Sequence, residues 1–197
     1  MRLIGLCGRS GSGKGVFCQV ALEQGLKVID CDAVYKALVS RKSDCLLEIA
    51  AHFGDEVIKN DSLDRRQLAS IVFSDKEQLD LLNKITHKHI IDEVFRIISS
   101  FDDSDIVILD APTLFESGLD SKCDQIVAII APDDQIIARI TSRDGITESE
   151  ARSRLSNQLS IDFLVENSDL VIYNDSSLDE FNKGSYELIK MIMENDC

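Results

Sequence analysis

Gly8-Arg9-Ser10-Gly11-Ser12-Gly13-Lys14-Gly15-Val16, GRSGSGKGV, follows the apolar run Leu3-Ile4-Gly5-Leu6-Cys7. Its spacing is that of a phosphate-binding loop, G-x-x-x-x-G-K-[ST], except at the last position. The run before it reads as a strand and Val16 to Leu22 after it as a helix, the context that lifts such a loop above a chance match. The glycines permit a tight turn with inward N–H groups. The helix N-terminus adds partial positive charge, and Lys14 adds a full one. Gly11, Ser12, Gly13, Lys14, Gly15 and Val16 are therefore the candidate nucleotide-binding residues; the alternative is a glycine-rich turn with an exposed lysine. Gly15 lacks the hydroxyl that normally reaches Mg²⁺ from this position. Ser12, before Gly13, is not expected to reach that place, whereas a water can fill it, since Mg²⁺ keeps several waters readily.

Further apolar runs recur at Lys27-Val28-Ile29, Ile106–Leu109, Ile126–Ile130 and Leu170–Tyr173. They are continuous rather than alternating and rich in β-branched residues, the pattern of parallel strands buried on both faces. Helical stretches lie between them. Ser74-x-x-Glu77 and Thr147-x-x-Glu150 are capping-box patterns, and Asp64-Arg65-Arg66-Gln67 starts a third helix in the same way. The alternation predicts an α/β fold with a mostly parallel sheet. From about Asp32 to Ser100 the chain reads as largely helical with no clear strand, much more than a simple crossover needs. It is expected to form a helical lobe beside the sheet.

Bulk properties narrow the class. A chain of 197 residues with 44% hydrophobic residues buries a core without staples. A net charge of −14 argues against non-specific nucleic-acid binding, but not against a local basic pocket for a small anion. The six cysteines and three histidines show no C-x-x-C pair and no zinc spacing, which points to a reducing compartment. The first residues are too short an apolar run for a signal peptide or a membrane span. A cytoplasmic protein is expected, either monomeric or weakly self-associating, with neither a nucleic-acid nor a membrane partner.

Carboxylates at strand ends are the next candidates, because open α/β sheets bind ligands beyond the carboxyl ends of their strands. Asp30 and Asp32 follow the second run; each can cap the next helix, but a pair of them one strand from a phosphate loop favours a site. Asp110 ends the third run, where it can hold Mg²⁺ or serve as a turn residue before Pro112. Metal binding is expected to fall on Asp110, Asp30 and Asp32. Glu116 is either a substrate-side carboxylate or a surface acid. Arg139 and Arg143, spaced i, i+4, share a helix face ahead of the Asp144-Gly145 break. Two helices across such a turn make a lid whose arginines reach a phosphoryl group on closing, or else carry ordinary surface salt bridges.

The chain resembles the dephospho-coenzyme A kinases, phosphate-loop kinases of the nucleoside-monophosphate-kinase type. The resemblance is carried by IGLCGRSGSGKG, GLKVIDCDAV, AHFGDEVI, LDRRQLASIVF, LNKITHKHI, DAPTLFESGL, QIIARITSRDGITESEARSRLSNQ and SDLVIYND, and covers nearly the whole chain. It implies a three-layer sandwich with a five-stranded parallel sheet. The core would span about 1–32, 101–138 and 160–197, the helical CoA-binding lobe about 33–100, and a short lid about 139–159. It implies ATP and dephospho-CoA as substrates and Mg²⁺ as cofactor, with transfer of the γ-phosphoryl group to the ribose 3′-hydroxyl. It makes Asp32 the catalytic base, with Lys14 and Arg143 as catalytic cations. Arg65, Arg66, His87 and Glu116 become acceptor-side residues, and Arg139 and Asn174 cofactor-side residues, with Asn174 in the loop that passes the adenine. Lys88 stands where the family usually has proline. The alternatives are a kinase for another small hydroxyl acceptor, or a nucleotide- or CoA-binding protein with impaired turnover.

Overall fold

Burial on both faces of a central sheet organises one part of the chain. The computed structural model describes residues 1–72 and 75–194. In chain order, β1 (Arg2–Cys7) leads into α1 (Lys14–Glu23), followed by β2 (Lys27–Asp30), α2 (Cys31–Val39) and α3 (Asp44–Phe53). A small pair, β3 (Ile58–Lys59) and β4 (Ser62–Leu63), precedes α4 (Arg65–Val72) and α5 (Lys76–Ile98). The rest comprises β5 (Ile106–Asp110), β6 (Gln125–Ile130), α6 (Asp133–Asp144), α7 (Glu148–Ser156), α8 (Ile161–Glu166), β7 (Leu170–Tyr173) and α9 (Leu178–Glu194).

All five apolar runs are strands of one sheet, in the order β2-β5-β1-β6-β7. The pairs β1–β5, β1–β6 and β6–β7 run parallel, with Leu6 beside Asp110 and Val127, and Ile130 beside Tyr173. Ile4, Ile108 and Ile129 are fully buried and pack with Phe17 of α1 and Phe181 and Ile189 of α9. Each such side chain contributes roughly 1.5–3 kcal/mol by leaving water. The expected α/β architecture with a parallel sheet is thus the observed one.

Residues Met1–Ile29 and those from Asp102 onward form one compact unit, and Asp30–Phe101 form another. The second has its own core of Ile49, Phe53, Val57, Leu68 and Ile85. Its helices start on side-chain caps. Asp30 accepts from the Ala33 N–H, Ser43 from Leu46, and Asp64 from Arg66 and Gln67. Ser74, which the capping-box pattern names, lies outside the described residues; α5 begins at Lys76, with Asp75 accepting from the Glu77 and Gln78 N–H groups.

The expectation of no strand in this interval needs correction, because β3 and β4 form an antiparallel hairpin. Its two-residue strands leave no periodicity to read. Its turn is Asn60-Asp61, both left-handed at φ 52° and 58°, as a tight hairpin turn requires.

Candidate active site

The loop from Gly8 to Val16 owes its shape to partners far away in sequence. Gly13 takes φ 118° and caps α1, and its carbonyl accepts from the Val16 and Phe17 N–H groups. Behind it, buried Asn174 follows β7 and donates from Nδ2 to the Ser12 carbonyl at 2.7 Å. The Asn174 N–H donates to the Ile130 carbonyl at 2.7 Å, which fixes the residue against β6. Arg139 of α6 donates to the Gly11 carbonyl (3.3 Å) and to both the carbonyl and Oδ1 of Asn174 (3.2 and 3.3 Å). Gly13 is required by this brace: a Cβ there would lie 2.4 Å from Asn174 Nδ2. Lys14 Nζ reaches back to the Gly8 carbonyl at 2.9 Å. Ser12 Oγ is buried without a hydrogen-bond partner among the described residues.

The Asn174 side chain donates from Nδ2 to the loop and accepts from Arg139 at Oδ1, so it serves as a brace. Arg139 also turns onto the loop, although its i, i+4 spacing puts it on one helix face with Arg143. Position on a face does not decide where a guanidinium ends, because the long side chain reaches whichever carbonyls are uncovered.

Asp110 ends β5 beside Leu6, the residue before Cys7 and the loop, and Cys18 Sγ of α1 lies 3.9 Å from its Oδ2. Among the described residues no three His, Cys, Asp or Glu side chains converge as a metal cage. The donor set nevertheless fits Mg²⁺, which is usually held by one or two carboxylates, water and substrate phosphates. Gly15 stands open, since a Cβ there meets no atom within 4 Å. Asp30 shows the helix-cap role, with Oδ1 engaged by the Ala33 N–H at 3.0 Å.

The α6–α7 hairpin turns at Gly145, which is left-handed, and Thr147 and Glu150 form the expected capping box. Ile136, Ile140, Ala151 and Leu155 give the pair a core of its own. Arg143 meets Asp144 through Nε–Oδ1 (2.7 Å) and Nη2–Oδ2 (3.0 Å), and Arg154 of α7 meets the same carboxylate at 2.5 Å. The hydrogen bonds from Arg143 and then Arg154 hold the Asp144 carboxyl well below the usual carboxylate range. Two contacts tie the end of α7 and the residues just after it to the loop: Arg9 donates to the Leu155 carbonyl (2.8 Å), and the Ser10 N–H donates to Gln158 Oε1 (3.1 Å). Arg9 also pairs with Asp133 at 2.5 Å. Motif spacing leaves Arg9 and Arg154 unmarked, Arg9 because it fills a variable position and Arg154 because its partner is ten residues away.

Glu116 is exposed and lines a cleft of ≈150 Å³ together with Gly8, Arg9, Pro112, Asn157 and Gln158. The other expected residues belong to the Asp30–Phe101 unit. Asp32 is exposed in the first turn of α2. Arg65 opens α4 with its guanidinium 5.7 Å from the centre of the Tyr35 ring, a cation–π contact. Arg66 is exposed beside it, and His87 is half-buried on α5. Its neighbours Lys88 and His89 both meet Glu48 of α3, at 3.1 and 2.7 Å. These hydrogen bonds, with His89 first, keep the Glu48 carboxyl below its ordinary value.

A braced phosphate loop opening a helix at the carboxyl end of the central strand of a parallel sheet, with a strand-end carboxylate beside it and an arginine-bearing hairpin tied to it, defines a phosphate-loop kinase of small molecules. The model of the dephospho-CoA kinase family matches residues 2–180. The dephospho-CoA kinase of Listeria monocytogenes is 32% identical across 98% of both chains, and that of Fusobacterium nucleatum 36% across 92% of this chain and 93% of its own. The dephospho-CoA kinase structure from Campylobacter jejuni superposes along the full length of both chains with a TM-score of 0.76 at 24% identity, a likeness of fold. This chain belongs to the dephospho-CoA kinase family.

Proposed function

We propose that this chain performs its family's reaction, moving the γ-phosphoryl group of ATP to the ribose 3′-hydroxyl of dephospho-CoA to give coenzyme A and ADP. The observation that carries the reading is the braced loop, in which Asn174 and Arg139 hold the carbonyls of Gly11 and Ser12 from behind. With those carbonyls engaged, the N–H groups and Lys14 are left to face an anion. In such a transfer there is little covalent chemistry for the protein to do, so positioning and charge supply most of the rate.

Each residue then takes a role. Gly11 to Val16 cradle the ATP phosphates, and Lys14 leaves the Gly8 carbonyl to pair with them. Asp32 orients the acceptor hydroxyl and takes its proton late, as suits a weak base in a loose transition state. Arg65, Arg66 and His87 bind the anionic pyrophosphate of the acceptor, and Tyr35 steadies Arg65. Glu116 lines the acceptor side of the cleft beside the loop. Arg143 reaches the transferring group. Asp110 would hold Mg²⁺, with Asp30 able to contribute only through the oxygen its cap leaves over, and water would stand in for a hydroxyl at Gly15. When bound, Mg²⁺ supplies charge neutralisation at the phosphate oxygens. Among the described residues no helix is long and apolar enough to cross a membrane.

The test is acceptor-dependent ADP release by the purified protein with Mg²⁺, run in parallel with dephospho-CoA, nucleosides and shikimate. Release with dephospho-CoA alone is expected. Release with another acceptor would move the enzyme to a different kinase, and release with none would make it a binding protein. Asp32→Asn should lower kcat about 100-fold or more while leaving ATP binding in place.

A further inference from the structure

We propose that Arg154 is a second phosphoryl-binding residue of the α6–α7 hairpin, and that Asp144 holds it and Arg143 in the paired arrangement that the terminal phosphoryl group of ATP would take. The inference deepens the reading of the loop as an ATP site and rests on it. Three hydrogen bonds from two helices converge on one carboxylate, two from Arg143 and one from Arg154. A carboxylate and a phosphoryl group both present paired oxygens to a guanidinium fork, so a site that gathers two arginines on the one is shaped for the other.

Position supports the same assignment. Leu155, the residue after Arg154, gives its carbonyl to Arg9 of the phosphate loop. Gln158, two residues past the end of α7, accepts from the Ser10 N–H. The last turn of α7 therefore stands on the loop and carries Arg154 with it. Arg9, anchored in turn by Asp133 at the start of α6, fixes both helices of the hairpin to that loop.

A purely structural reading of the triad explains less. The side chains of Arg143, Arg154 and Asp144 are 60, 40 and 26% exposed. Pairs this open to water add little to stability. They are correspondingly easy to exchange for a more highly charged anion. Asp144 then acts as an internal competitor: it keeps the two guanidinium groups together and yields them to the nucleotide.

The experiment is calorimetric binding of ATP and of ADP, with Mg²⁺, to the wild type, Arg154→Ala, Arg154→Lys and Asp144→Asn, each checked for folding by circular dichroism. Arg154→Ala should weaken ATP about tenfold or more, the loss of one charge-assisted contact, and change ADP by less than about threefold. Arg154→Lys, which keeps the charge but not the fork, should fall between it and the wild type. Asp144→Asn should bind ATP at least as tightly as the wild type. The proposal is overturned if Arg154→Ala binds ATP like the wild type, if it loses ADP equally, or if Asp144→Asn weakens ATP as Arg154→Ala does. Should Arg154→Ala fail to fold, the Lys and Asn variants decide alone. A wild type that binds ATP but does not turn over dephospho-CoA would remove the acceptor assignment and leave this test standing. A wild type that binds no ATP overturns both.

Discussion

Gly13 and Gly15 flank Lys14, yet a side chain has opposite consequences at the two positions. At Gly15 a Cβ meets nothing within 4 Å, so Gly15→Ser restores the hydroxyl of the motif without a clash. That variant should fold normally and reach half-maximal activity at lower Mg²⁺, and should bind Mn²⁺ with ATP more tightly when titrated by paramagnetic relaxation. An unchanged metal requirement would put the ion wholly on the strand-end carboxylates and the nucleotide. At Gly13 the backbone is left-handed, with φ 118°, and a Cβ would stand 2.4 Å from Asn174 Nδ2 and 3.1 Å from the Phe181 ring. Gly13→Ala should cost about 1–3 kcal/mol in urea unfolding and most of the ATP affinity. Normal values for both would refute the packing account. The absent hydroxyl is legible in the letters alone, because it is a local property of a motif. The reason for Gly13 is not, since its neighbour Asn174 lies 161 positions further along the chain.

The same division holds for whole elements. All five sheet strands are readable because each is a short continuous apolar run, most of them rich in β-branched residues, and α7 because its capping box is complete. The β3–β4 hairpin is hidden because its signal sits in two turn residues rather than in its strands. Brace and tether contacts are hidden for a different reason. Arg139 on α6, Asn174 after β7 and Arg9 in the loop are polar residues whose partners are set only when the strands assemble. Asn174→Ala tests the brace. It removes the donor to the Ser12 carbonyl and an acceptor for Arg139, leaving buried polar groups unsatisfied at a cost of about 1–3 kcal/mol. ATP KM should rise about tenfold with a smaller change in kcat, since the loop loses its preset shape rather than its charge. An equal loss in kcat and none in KM would show that Asn174 acts on the reacting groups instead.

Across the whole molecule, parallel pairing gathers the chemistry of the sheet unit at the carboxyl ends of its strands: the phosphate loop follows β1, Asp110 ends β5, and Asn174 follows β7. That much follows from reading the strands as parallel. The thiols make a prediction of a different kind. Burial first, then Glu48, pushes the Cys45 thiol up to about 11. Burial first, then Asp120 and Asp124, pushes Cys123 up to about 12. In the unfolded chain both thiols would ionise near 9.0. Below that pH both states keep the protons, and these thiols leave stability unchanged. Above it the unfolded chain releases protons that the folded protein retains, so stability falls as pH rises from about 9 toward 11, by up to about 1.4 kcal/mol per pH unit for each thiol. Urea unfolding under reducing conditions, at intervals from about pH 8 to about pH 10, should give a flat segment and then a decline. In Cys45→Ala the decline should be shallower by one thiol's share. A decline just as steep in that variant would mean that Cys45 ionises as readily in the folded protein as in the unfolded chain.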